Sequence, residues 1–335
     1  MAAHPANGRK VLVVIGMHRS GTSATTGALQ CLGVNLGERL YAGHQGINDK
    51  GYFEHSDIAD TDDEVLWQTG SCWDDILLKQ DGWWENEDLG RFEEKMRHFI
   101  RRDFPSDDLW ALKDPRVCRL LPWWLRILNA EKILPHFLFV VRPAEAVYRS
   151  LEKRDGFSRD KAYLLWLLHY LEAERWSRDY PRGVLGFDRF LHDPVGEFCR
   201  IEKELGSIFP IPAAQASECL GRFVSPGLRH HRDNHDAIDR QNPLHRMAHD
   251  LEACLMAAAD GGGAPPDAGE MDRLREAMAQ YQREHFSGPL REHLLSVSRQ
   301  RGGAQLTLNR IFRSWSWVPG KPIRFAERSI FKRDV

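Results

Sequence analysis

Arg9 to Leu32 reads RKVLVVIGMHRSGTSATTGALQCL, and the order of residue types in it decides the architecture. Val11 to Ile15 is an apolar run with the length of one buried strand. Gly16 and Gly21 frame a polar turn, and Ser20 to Leu32 has the composition of a helix. A strand, a glycine-framed turn and a helix make an anion cradle. Glycine lets the backbone bend close to a ligand, several N–H groups point one way, and the helix N-terminus adds partial positive charge.

The spacing can be compared with the nucleotide-triphosphate loop, G-x-x-x-x-G-K-[ST]. Gly16, four residues, Gly21, Thr22 and Ser23 fit that frame, but Thr22 stands where the lysine belongs. That lysine holds the terminal phosphates, so its absence argues against ATP or GTP chemistry. The positive charge lies inside the turn instead, at Arg19 with His18 beside it. Ser20, Gly21, Thr22 and Ser23 complete a cradle for a phosphate-like group that needs no magnesium.

Three more strands follow at intervals that leave room for helices. Leu109 to Leu112 runs into Lys113-Asp114-Pro115-Arg116, with a helix over Leu120 to Leu128. An apolar strand ending in Asp suits magnesium binding, yet the ammonium of Lys113 would compete with a metal there. A lysine at that edge suits neutralising a group in transfer. Phe137 to Val141 is the third strand, ending at Arg142 and Pro143. Ser150 follows eight residues after Arg142, two turns into the next helix, so both can reach a phosphate above the sheet edge. Gly183 to Phe187 reads as the fourth strand. Strands alternating with helices predict an α/β fold of three layers around a central parallel sheet. Ligands of such folds bind at the carboxyl edge.

Between the first helix and Asp63 lies a long glycine-rich stretch without clear periodicity, a length that points to function inside a compact domain. It contains Gly51 to His55, GYFEH, directly before a helix that Ser56 or Asp57 can cap. Glu54 has two readings, a solvated loop carboxylate or a general base facing the cradle. Trp73 to Arg102 reads as a helical insertion closing over a substrate, or as a peripheral helix pair; Trp73, Trp83 and Trp84 can stack on sugar faces or pack in the core. His169 reads as a packed helix residue. The cluster Arg229 to Arg232 reads as a charged lid or as a solvated basic turn.

GMHRSGTS resembles the 5′-phosphosulfate loop of sulfotransferases that use 3′-phosphoadenosine 5′-phosphosulfate (PAPS), and the likeness extends over roughly Lys10 to Glu197. The resemblance implies the P-loop NTPase-like sulfotransferase fold and PAPS as co-substrate, with no metal. Lys113-Asp114-Pro115 resembles a motif of the tyrosylprotein branch, whose lysine contacts the sulfate in transfer. Arg142 and Ser150 resemble that family's 3′-phosphate site. A glutamate downstream of the loop serves as base in tyrosylprotein and heparan sulfotransferases, which would make Glu54 the base here, with His55 as the alternative. The catalytic set implied is Glu54, Lys113 and Arg19. His18 to Ser23, Arg142 and Ser150 would bind the donor. FDRFLHDP resembles the family's Y-E-D-L-x-x-D-P block with Phe187 in place of tyrosine. The C-terminal R-K-G segment of the cytosolic branch is not evident.

Composition bounds the rest. The 335 residues allow one large domain and a smaller addition, 42% hydrophobic content supports a substantial core, and a net charge of −2 gives no pull toward nucleic acid. Six scattered cysteines without a C-x-x-C pair read as reduced thiols of a cytoplasmic protein. No apolar signal core opens the chain and no 18-residue apolar run occurs. The expected organisation is a leader at 1–8, the sulfotransferase domain at 9–258, a linker at 259–270 and a helix from Met271 to about Gln300 within a segment ending at 308. The tail at 309–335 has seven Lys or Arg and five aromatics, which suits a partner protein or an anionic membrane surface at which the enzyme is peripheral. Similar W-x-W-x-x-x-x-P-[IL]-R tails occur in bacterial enzymes of surface-polysaccharide assembly, which points to a saccharide hydroxyl as acceptor. The competing readings are a P-loop kinase or NTPase and a non-catalytic scaffold of glycan assembly.

Overall fold

A computed structural model describes residues 8–41, 51–105, 108–224, 239, 241–260 and 265–315, the last five as backbone. Four strands form one parallel sheet: β1 (Lys10–Ile15), β2 (Leu109–Lys113), β3 (Leu134–Val141) and β4 (Arg182–Gly186), in the order β2-β1-β3-β4. The register sets Val14 opposite Lys113, Ile15 opposite Phe139 and Val141 opposite Gly186. Parallel strands have a common carboxyl edge. Gly16, Asp114, Arg142 and Phe187 therefore all leave the sheet on the same side.

Alternation along the strands divides the interior in two. Val11, Val13, Ile15, Phe137 and Phe139 pack into one apolar layer, and Leu12, Val14, Leu138 and Val140 into the other. Both faces are thus apolar, as a parallel sheet covered by helices on each side requires. α1 (Thr22–Leu29) follows β1 and belongs to the smaller layer, with α7 (Phe187–His192), α8 (Pro194–Glu204) and α9 (Ser217–Phe223). The larger layer holds α2 (Ser56–Gln68), α3 (Gly90–Asp103), α4 (Val117–Ala130), α5 (Ala144–Asp155), α6 (Arg159–Ser177), α10 (Pro243–Asp260) and α11 (Ala268–His285). α12 (Gly288–Trp315) packs along α2.

The three-layer α/β architecture and all four expected strands are present, each within a few residues of its expected bounds. Three expectations need correction. The single C-terminal helix is two, because the chain breaks at Phe286–Gly288, where Gly288 takes φ +52° and Pro289 follows. The tail does not begin at 309, since α12 continues to Trp315; residues 316–335 lie outside those described, as does the Arg229–Arg232 cluster. Six free thiols are not found either. Cys31, just after α1, and Cys219 in α9 form a disulfide with Cα atoms 5.6 Å apart, while Cys72, Cys118, Cys199 and Cys254 are free.

Candidate active site

The turn between β1 and α1 is shaped by sterics. Gly21 has φ +92°, and a Cβ there would lie 2.1 Å from Phe187 Cδ2. The Phe187 ring, at the end of β4, thus occupies the space that glycine leaves. Arg19 also lies in the left-handed region, at φ +70°. A non-glycine residue held in that conformation is a costly arrangement that the surroundings must enforce. Ser20 N–H donates to Met17 O at 3.1 Å, so this amide is engaged within the turn and does not join the cradle. Thr25 N–H closes the first helical bond to Gly21 O at 3.0 Å, which leaves the Thr22, Ser23 and Ala24 amides without a carbonyl inside the helix. No side chain caps α1.

On the β3 side of this helix end three predicted residues meet. Arg19 Nε donates to Ser150 Oγ at 2.8 Å, and Arg142 Nη1 donates to Arg19 O at 3.2 Å. The Arg142 guanidinium also sits 5.6 Å from the centre of the Phe187 ring. Arg154, one turn beyond Ser150 on α5, adds a third cation; burial and the charges of Arg154 and Arg142 lower the pKa of Arg19. Three guanidiniums crowded near one helix N-terminus favour an anion, because its charge would relieve their mutual repulsion.

His18 lies in the same turn. Burial and the positive charge of Arg154, Arg116 and Lys113 push its pKa well below the usual histidine value, so the ring is neutral. Its Nε2 is buried with no hydrogen-bond partner among the described residues. Trp73 packs on it with ring centres 4.6 Å apart. Of the three tryptophans singled out in the sequence, Trp73 reaches the cradle, whereas Trp84 packs edge-on to Trp176 at 4.7 Å. His169 is fully buried, with its pKa pushed down to about 3 by burial, and Nδ1 pairs with Leu165 O at 2.7 Å.

On the β2 side, Lys113 Nζ donates to Ser23 Oγ at 3.2 Å, to Tyr52 O at 3.0 Å and to Glu54 Oε1 at 2.5 Å. The ammonium missing at Thr22 therefore reaches the start of α1 from the neighbouring strand. Glu54 and Lys113 are both buried. Arg116 Nη1 lies 3.8 Å from Glu54 Oε2. His55 faces elsewhere: Nδ1 accepts from Ile58 N at 3.4 Å and Nε2 pairs with Asp103 Oδ2 at 2.9 Å. It is therefore His55, rather than Ser56 or Asp57, that caps α2, and both of its ring nitrogens are engaged.

One oxygen of Asp114 is committed to protein contacts. Its Oδ1 accepts from Arg116 Nη1 and from Arg116 N–H, each at 2.9 Å. Burial and then the charge of Asp114 raise the pKa of Asp62 well above the usual range, which favours a protonated Asp62 beside it.

Two contributors escaped the sequence reading, Arg116 and Arg154. A signal existed for the second, since Ser150 and Arg154 are four residues apart and share a helix face. Arg116 was visible only as a residue after proline. A cavity of about 870 Å³ at the far end of α2 is lined in part by Trp67, Thr69, Arg299 and Trp83, one of the three tryptophans singled out in the sequence, but by none of the predicted catalytic or donor-binding residues.

Compared with known proteins, the chain matches no protein-family model and no curated protein.

Proposed function

We propose that the protein is a PAPS-dependent sulfotransferase of the P-loop-like fold, moving a sulfuryl group to an acceptor hydroxyl, with a saccharide as the acceptor class. The observation that carries this reading is the placement of two separate polar sets at one helix N-terminus. Arg19, Arg142 and Ser150 lie on one side, and Lys113 and Glu54 on the other. A donor with a phosphate at one end and a phosphosulfate at the other needs such an arrangement. The residues fit it: a turn in which a Cβ at Gly21 would clash, an unpaired His18 Nε2 and crowded guanidiniums.

In this reading Arg142 and Ser150 bind the 3′-phosphate, and the Thr22 and Ser23 amides with their hydroxyls bind the 5′-phosphosulfate. Glu54 takes the proton of the acceptor hydroxyl as its oxygen bonds to sulfur. The sulfur–oxygen bond to the 5′-phosphate breaks, giving a sulfate ester and adenosine 3′,5′-bisphosphate. Lys113 and Arg19 offset the charge on the transferring and leaving oxygens. Positioning and preorganised charge supply most of the rate in transfers of this type.

The kinase or NTPase reading needs a lysine at position 22 and a carboxylate open to magnesium, whereas Asp114 is held by Arg116. The saccharide assignment rests on the tail's composition and on Trp73 beside the cradle, a flat ring that can stack on a sugar face. As a peripheral enzyme it would act at the inner face of the membrane through the tail beyond α12, residues 316–335; no helix of the described residues is long and apolar enough to cross one. Calorimetry with adenosine 3′,5′-bisphosphate and with ATP plus magnesium, followed by transfer from labelled PAPS to candidate glycans, tests the reading. Binding of the bisphosphate and labelled glycan are expected; binding of magnesium–ATP alone would overturn it.

A further inference from the structure

We infer that Arg116 is the positioning residue of the base Glu54, held for that task by Asp63 of α2 and by Asn309 of α12. The inference rests on Glu54 acting as the base of the reaction proposed above. Glu54 has two cationic neighbours with different duties. Lys113, at 2.5 Å from Oε1, also reaches Ser23 at the start of α1, where charge must be offset in the transfer. An ammonium on a flexible stem can turn from one anion to the other. Once it does so, Arg116, 3.8 Å from Oε2, still faces Glu54 and keeps it aimed.

Arg116 is built to stay in place. Its Nε and Nη2 grip the two oxygens of Asp63 at 2.6 and 3.2 Å, and its Nη1 grips Asp114 at 2.9 Å. Such fork-to-fork pairing fixes the guanidinium plane as well as its position. All three side chains are nearly out of solvent, 11%, 5% and 1% exposed for Arg116, Asp63 and Asp114. Asp63 Oδ2 receives one more bond, from Asn309 Nδ2 at 3.1 Å. The last turns of α12 thus reach the base through Asn309, Asp63 and Arg116. Among the described residues, the charged groups around the base are Lys113 from β2 and Arg116 from the β2–α4 turn; Asp63 from α2 and Asp114 beside β2 balance part of the arginine's charge.

The test is transfer by the full chain, with kcat, KM and adenosine 3′,5′-bisphosphate affinity measured together. In Arg116→Ala kcat should fall with bisphosphate affinity kept, because Glu54 loses the cation that aims it. Arg116→Lys, which keeps a cation at that place, should recover part of the lost kcat. Asn309→Ala, a milder change at the far end of the chain of contacts, should lower kcat up to about fivefold, the worth of one hydrogen bond, at unchanged KM. Parental kcat in Arg116→Ala would overturn the inference, and so would parental kcat in Asn309→Ala. If Arg116→Ala does not fold, Asn309→Ala decides it, since a parental kcat there overturns the inference. A parent protein with no transfer at all would instead count against the function proposed above.

Discussion

Glu54 and Lys113 illustrate how a residue's meaning depends on its neighbour. Each is an ordinary charged side chain in the sequence; 2.5 Å apart and buried, they form a paired acid and cation beside the start of α1. Glu54→Gln keeps shape and hydrogen bonding but cannot accept a proton, so transfer should fall about 100- to 10,000-fold, while calorimetry finds bisphosphate affinity little changed. Arg142→Ala removes a charged hydrogen-bond donor worth roughly 1.5–3 kcal/mol, and bisphosphate affinity should drop about 10- to 100-fold. Two histidines outside the site carry a stability prediction. Burial holds His136 down to about 4 and His169 to about 3. Both stay neutral in the folded protein while the unfolded chain takes up protons below its ordinary value near 6.5. Stability should therefore be full above about pH 6.5 and decline as pH falls toward 4 and then 3. Urea midpoints measured across that range should show the decline, and His136→Gln should lessen it.

Elements were legible where a single cause sets them. Val11–Ile15 of β1 and Phe137–Val141 of β3 are continuous apolar runs because both faces of the sheet are covered. The turn after β1 was legible from its two glycines, and the structure adds why Gly21 is needed: the positive φ and the Phe187 ring both exclude a side chain. Gly21→Ala should accordingly destabilise the fold by about 1–3 kcal/mol from backbone strain, with displacement of Phe187 in addition, as a lowered denaturation midpoint would show. Where two causes compete, the reading failed. The expected C-terminal helix ran through Ser287-Gly288-Pro289, although a glycine–proline step breaks helices. The cap of α2 falls on His55, a residue type less common there than serine or aspartate, because Asp103 of α3 holds its other nitrogen.

At the scale of the molecule, the Cys31–Cys219 disulfide ties the end of the cradle helix to α9, 188 residues away in the chain. Removing a native bridge typically costs about 2–5 kcal/mol. Cys31→Ser should therefore melt earlier than the parent under oxidising conditions, and a reducing agent should remove the difference. The chain shows where such a bond is possible only once both layers are assembled, since spacing alone cannot pair six cysteines. The same holds for the site. Local sequence determined the strands, the glycine-framed turn and the candidacy of Arg19, Lys113, Arg142 and Ser150, because strand length, backbone freedom and charge are properties of neighbouring residues. Only the tertiary structure decided that Lys113 supplies the ammonium absent at Thr22, that His55 turns away while Glu54 stays, and that Asn309 reaches Asp63 across 246 residues. Those outcomes depend on strand order and on which helix faces pack together, and neither is written within any one stretch of the chain.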